Sequence, residues 1–242
     1  MPLEIAAQSL TSARRAQSAG ADRLELATAL GVGGLTPPPG LIRTVLQAVD
    51  LPVYALIRPR PGDFTYSEDE LQTMEASIAF CVSEGIQGIV SGALRPDRTV
   101  DRRATARLQA AAGGLPFTFH RAFDWTPDPR AALRTLLQLG IPTLLSSGQA
   151  PKAEQGLHLL QQLKDAAGEA LTIMPGSGIQ PGNVERFRAA GFSWLHASGT
   201  IPAEKGPAPP PFSLNTPAML SEHISYESDT DRIREMVRRL HA

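Results

Sequence analysis

Eight short apolar runs punctuate the chain: LEIAA (3–7), RLELA (23–27), PVYALIRP (52–59), GIVSGA (88–93), PFTFHRAF (116–123), TLLSSG (143–148), LTIMPGSG (171–178) and WLHASG (194–199). Each has the length of a strand. Their near-continuous apolar character fits strands covered on both faces. Between them lie stretches with helical periodicity. Ser67 reads as an N-cap before EDELQTMEASIAFCVSEG, with acids in the first turn and Gly85 as the stop. Pro127-Asp128-Pro129 opens RAALRTLLQLG, closed by Gly140, and Pro181 opens GNVERFRAAG, closed by Gly191. SAG (18–20), SEG (83–85), QLG (138–140) and AAG (189–191) each end a helix just before a strand, which makes helix–Gly–strand a repeated unit.

Strands that alternate with helices pair in parallel through crossovers. Eight such units in 242 residues predict a (β/α)8 TIM barrel, one α/β domain over residues 1–242. A doubly wound sheet is the alternative, but the GxGxxG that would follow its first strand is absent. One region breaks the rhythm. Residues 199–229 contain GPAPPPF and many small polar residues, and read as a long loop after the eighth strand. Such a connection is a lid, an oligomer contact or a loose insertion. A last helix over residues 230–241 completes the eighth unit.

Composition narrows the partners. The chain is 42% hydrophobic and 19% charged, enough for one large core. With 23 basic and 24 acidic residues and no basic block, nucleic acid is not an expected partner. No apolar stretch reaches the length of a membrane span, and MPLEIAAQSL lacks the features of a signal peptide, so a cytoplasmic location is expected. The lone Cys81 excludes an internal disulfide and any site needing two thiolates from one chain.

In such barrels the chemistry sits at the C-terminal strand ends. The strand runs and the positions just after them carry Glu4, Glu25, Arg58 and Arg60, then His120, Arg121 and Asp124, then Ser147, Gly176-Ser177-Gly178, His196 and Ser198. A lone charge is costly to bury. Glu4 and Glu25 therefore need partners, and Arg58, Arg60 and Arg121 are the expected ones. Together these charges form either a structural ion network or a site for a small anion. Glu4, Glu25, His120, Asp124 and His196 are the candidate acid–base groups. Arg58, Arg60, Arg121, Ser147, Gly176, Ser177, Gly178 and Ser198 are the candidate anion contacts. The glycines after strand seven either converge N–H groups on a phosphate or only make a tight turn. His120, His196, Glu4, Glu25 and Asp124 include metal-ligand types, yet no HxH or HExxH spacing supports a metal site, and none is assigned. In TFHRAFD (118–124), His120 is expected to point inward and Arg121 to brace a neighbouring glutamate or Asp124.

The runs LEIAAQS, GADRLELATALGVGGLTPPPGLIR, IRPRPGDFTYS, FTFHRAFD, MPGSGI and LHASG, in that order, closely resemble the CutC family, the so-called copper homeostasis proteins. The resemblance reaches to about residue 199. It implies a cytoplasmic TIM barrel that assembles as a dimer or tetramer and takes part in copper trafficking or tolerance, with Cu(I) bound by cysteine in some members. This chain departs from that pattern, having Ala6 and Ala27 where many relatives have cysteine. Cu(I) prefers thiolate or thioether ligands, and Met174 is the one soft side chain expected near the mouth. Two functions follow: a copper-handling protein, or a barrel enzyme of the isomerase, epimerase or lyase type acting on a small anionic, perhaps phosphorylated, metabolite.

Overall fold

A computed structural model describes residues 1–203 and 225–241. Its strands are β1 (Leu3–Ala7), β2 (Arg23–Leu26), β3 (Val53–Leu56), β4 (Gly88–Ser91), β5 (Phe117–Phe119), β6 (Thr143–Ser146), β7 (Thr172–Pro175) and β8 (Leu195–Ala197). They form one parallel sheet in the order β7-β6-β5-β4-β3-β2-β1-β8. A parallel bridge between Gly176 and His196 joins the two ends and closes the barrel. The outer ring is α1 (Leu10–Ser18), α2 (Pro39–Leu46), α3 (Glu68–Ser83), α4 (Arg102–Ala111), α5 (Pro129–Gln138), α6 (Leu157–Ala167), α7 (Val184–Ala189) and α8 (Thr230–His241). No described helix is long and apolar enough to cross a membrane.

Alternation along each strand sorts the core into two parts. Leu3, Ile5 and Ala7 of β1, Leu24 and Leu26 of β2, and Val53 and Ala55 of β3 belong to the main core shared with the helices. Residues of the opposite parity face the barrel interior, where Ala27, Tyr54, Leu56 and Val90 make a smaller apolar cluster. Each fully buried Leu or Ile contributes roughly 1.5–3 kcal/mol, so the outer layer dominates stability. The inner layer can then hold polar groups.

The helix signals act as read. Ser67 Oγ accepts the Glu70 N–H at 3.2 Å while the Glu70 carboxylate accepts the Ser67 N–H at 2.8 Å, a complete capping box on α3. Asp128 caps α5 with Pro129 in its first turn. Gly20, Gly85, Gly140 and Gly191 all have positive φ at the helix–strand junctions, where only glycine is unstrained. Two expectations change. α7 begins at Val184, not at Pro181, because residues 180–183 close a turn in which Asn183 Oδ1 accepts the Gln180 N–H at 2.9 Å. The segment after β8 is not loop throughout: β9 (Thr200–Ala203) pairs antiparallel with β10 (Ser225–Ser228). The Ser228 N–H donates to Ser12 Oγ at 3.2 Å and ties this ribbon to α1. The remainder of the predicted loop, 204–224, lies outside the described residues.

Candidate functional site

Strand register builds the floor of the barrel mouth. Glu4 lies opposite Arg23 on one side and His196 on the other, and Glu25 lies opposite Ala6. All of these positions have the inward parity. Glu4, fully buried, accepts from Arg23 Nε at 2.6 Å and from His196 Nδ1–H at 2.8 Å. The Arg23 guanidinium lies between the rings of Tyr54 and Trp194, 4.1 Å from each centroid, and its Nη2 donates to Met174 Sδ at 3.6 Å. Glu25 Oε2 stands 4.0 Å from His196 Nδ1 and has no hydrogen-bond partner among the described residues.

Three titrations diverge in this small volume. Burial pushes Glu4 up, but the His196 hydrogen bond and the Arg23 and His196 charges outweigh it and hold the carboxyl below its usual range. Glu25 lacks such bonds; burial, aided by the Glu4 charge, raises it to about 7. Burial alone would lower His196, but the Glu25 and Glu4 charges and the Glu4 bond reverse this and raise it. The expected pairing of Glu4 and Glu25 with Arg58, Arg60 and Arg121 is therefore wrong. Adjacent strands bring Arg23 and His196 to Glu4 first, and each of the three arginines is engaged elsewhere.

Arg58, at the end of β3, donates to the carbonyls of Val32 (2.9 Å), Gly34 (3.1 Å) and Gly62 (2.7 Å). It thereby locks two loops beside the mouth. Arg60 turns outward to Glu70 and Asp63. The chain bends sharply after β5. His120 caps a 3₁₀ turn over Arg121–Trp125, its Nδ1 accepting the Ala122 N–H at 3.3 Å. His120 is 5% exposed, points inward as expected, and is pushed down to about 3 by burial and the Arg58 charge. Arg121 braces Asp124 at 2.8 Å, the second of its expected partners. Asp124 is a saturated hub: it also accepts from Ser146 Oγ, Ser147 N–H and Oγ, and Gln149 N–H. It has no lone pair to spare for a proton relay.

A cavity of about 370 Å³ opens above the floor. Glu25, His196, His120 and Arg58 line its depth, and Arg121, Ser177, Gly178 and Ser198 line its rim with Arg232 from α8. These are eight of the thirteen sequence candidates. Glu4 lies beneath them, and Asp124 and Ser147 act as support behind. Gly176 has already donated its N–H to Ser146 O at 2.9 Å, so it does not join an N–H cradle. Arg60 is outside. Sequence reading missed Arg23 and Arg232. Arg23 was detectable as the position two before Glu25 on the same strand face; Arg232 carried no local signal.

Metal binding can be tested on these side chains. Glu4, Glu25 and His196 each offer a ligand atom, all within 4.8 Å of one another. Yet the Arg23 guanidinium already occupies Glu4, and an added cation would face it directly. Among the described residues the cavity offers no free soft ligand for copper either. Ala6 lines the cavity and Ala27 is buried in the inner cluster. Cys81 is buried on α3 in the outer core, its thiol pushed up to about 11 by burial. Met174 is buried and already engaged by Arg23. The donor set of the described residues does not fit Cu(I).

A family model described as the CutC family matches residues 1–201. A family protein CutC of Klebsiella pneumoniae is 39% identical over 236 residues, 97% of this chain and 95% of that one. The human "Copper homeostasis protein cutC homolog" is 41% identical over 205 residues, 84% of this chain and 75% of that one. A crystal structure of a CutC from Streptococcus agalactiae superposes with a TM-score of 0.78 at 30% identity, covering 82% of this chain and 98% of that chain. Phosphoribosyl anthranilate isomerase from Thermus thermophilus, at 16% identity and a TM-score of 0.58, shares the fold alone.

Proposed function

The chain belongs to the CutC family, and we propose that it serves the copper-homeostasis role named for its human relative through proton-transfer chemistry on a small anionic molecule, not by holding copper on thiolates. One observation carries this reading: Glu25 is a buried carboxyl at a cavity wall, with an unpartnered oxygen 4.0 Å from His196. A group raised to about 7 is balanced between accepting and releasing a proton at neutral pH, which is what a general base requires. His196, shifted toward its charged form by Glu25 and Glu4, stands where it can compensate the charge when Glu25 ionises. Glu4 and Arg23 fix the imidazole. At the rim Arg121 and Arg232, with Ser198 between the strands' loops, favour an anionic ligand.

The test is solvent exchange. A panel of small carboxylates and phosphate esters is incubated with the protein in D2O, and proton NMR follows the loss of C–H signals. Deuterium entry into at least one compound, abolished by Glu25→Gln, is the expected result. Exchange that persists in Glu25→Gln would remove Glu25 from the chemistry.

A further inference from the structure

We propose that His120 is a neutral hydrogen-bond donor whose Nε2–H receives the carbonyl oxygen of an enolisable anionic ligand, across the cavity from Glu25. This deepens the proton-transfer reading above and rests on it. The tautomer follows from the hydrogen bonds. His120 Nδ1 accepts the Ala122 N–H at 3.3 Å, so its lone pair is engaged and the single proton of the neutral ring sits on Nε2. That Nε2 is buried and has no partner among the described residues. A buried donor without an acceptor is disfavoured and marks a place where something else supplies one. His120 lines the same cavity as Glu25, so a ligand there meets both.

The surroundings keep the ring neutral and fixed. The Arg58 guanidinium, held by three carbonyls, lies 4.9 Å over the Phe64 ring, and Phe64 in turn packs at 4.9 Å against the imidazole. A second proton on His120 would face that cation with no carboxylate bonded to it. Gly92 leaves room for the ring, since a Cβ there would stand 3.0 Å from Nδ1.

The chemistry balances without an oxidant or cofactor. Glu25 takes the proton α to the ligand carbonyl as the C–H bond breaks. Its electron pair forms the C=C bond, and the carbonyl π pair moves onto oxygen. His120 keeps its proton and donates to the resulting enolate oxygen. Return of a proton from Glu25 to the same carbon regenerates the carbonyl compound, carrying solvent hydrogen in place of its own. The rim arginines hold the ligand's anionic end, which indicates a 2-oxo acid or a ketose phosphate.

Two measurements test this. Nitrogen NMR of protein labelled at histidine reads the tautomer. We expect Nε2 protonated and Nδ1 bare from about pH 5 to about pH 8; an Nδ1–H tautomer or a second proton in that range overturns the assignment. Deuterium exchange is then run on pyruvate and dihydroxyacetone phosphate as probes of the two ligand types. His120→Leu should lower exchange by roughly a hundredfold or more, as loss of an oxyanion donor does, while His120→Gln, which keeps an N–H, retains most of it. Circular dichroism and thermal melting confirm that both variants fold. If exchange requires Glu25 but survives in His120→Leu, the donor role is wrong and the proton-transfer reading stands. If neither probe exchanges with the unmodified protein, the enolisable-ligand assignment is wrong, and the outcome of the wider panel decides the reading on which it rests.

Discussion

Lowering the pH should destabilise the barrel through His120, because its buried imidazole resists protonation. In the fold its imidazole is pushed down to about 3, first by burial and then by the Arg58 charge. In the unfolded chain it titrates at about 6.5. Below that value the unfolded chain binds a proton that the folded barrel refuses. Stability therefore falls by about 1.4 kcal/mol per pH unit from this group alone. Between pH 7.5 and pH 4.5 the loss is roughly 2.5–3 kcal/mol, and it levels off only as pH passes through the folded value. His196 has the opposite sign: raised in the fold, its contribution is complete below its unfolded value and is lost as pH rises through its folded one. Glu25, raised to about 7, behaves likewise, whereas the lowered Glu4 contributes above its unfolded value and loses that contribution in acid. Urea unfolding of the wild type and of His120→Gln, at four pH values across that range, cancels these other groups. The difference in unfolding free energy between the two should shift against the wild type by about 2.5–3 kcal/mol on acidification. A difference that stays constant with pH would show that folded His120 accepts a proton as readily as an unfolded one, and the neutral-donor assignment would fail with it.

Glu25→Gln should be stabilising at alkaline pH, because it removes a carboxylate that must ionise in the interior; relative to wild type the gain should grow by about 2–3 kcal/mol between pH 4.5 and pH 8 in the same assay. Glu4→Gln should do the reverse, leaving the buried Arg23 charge uncompensated at a loss on the order of 3–5 kcal/mol, read as a fall in melting temperature. Gly92→Ala should cost about 1–3 kcal/mol and displace His120, since its Cβ would meet the Phe119 ring at 2.9 Å and His120 Nδ1 at 3.0 Å; unchanged thermal stability would contradict the packing. Titration with Cu(I) against a chromophoric chelator should leave the metal with the chelator, and stoichiometric capture by the protein would overturn the reading that its donors do not suit copper.

The fold was legible because its signals are local. Ser67, Asp128 and the four junction glycines act within a turn of where they stand, and the apolar runs match the strands to within a few residues. The Arg121–Asp124 brace was legible for the same reason, being three positions apart on one turn. The partners of Glu4 were not. They come from β2 and β8, one of them 192 positions away, and only register sets them opposite. Residue type suggested the strand-end arginines, but Arg58 is drawn off by loop carbonyls and Arg60 by its neighbours in sequence. The ribbon of β9 and β10 was equally hidden, since its two strands are brought together across the proline-rich segment.

The sequence left open whether the buried charges make a structural network or a ligand site, and the hydrogen bonds sort these groups into closed and open ones. A network that serves only the fold closes on itself, because each polar atom left open in the interior is a loss. The support groups here do close: Glu4 is taken by Arg23 and His196, and Asp124 by Arg121, two serines and a backbone N–H. The open atoms at the cavity are of complementary kinds, Glu25 Oε2 as an acceptor and His120 Nε2 and Arg58 Nε as donors. The two histidines are also driven apart, His196 toward its charged form by two carboxylates and His120 toward its neutral form by Arg58 and burial. Titratable groups pushed in opposite directions around one cavity are the arrangement that acid–base chemistry uses, and they support the proposed function. None of them is a thiol, so the proposed chemistry does not depend on cysteine at positions 6 and 27.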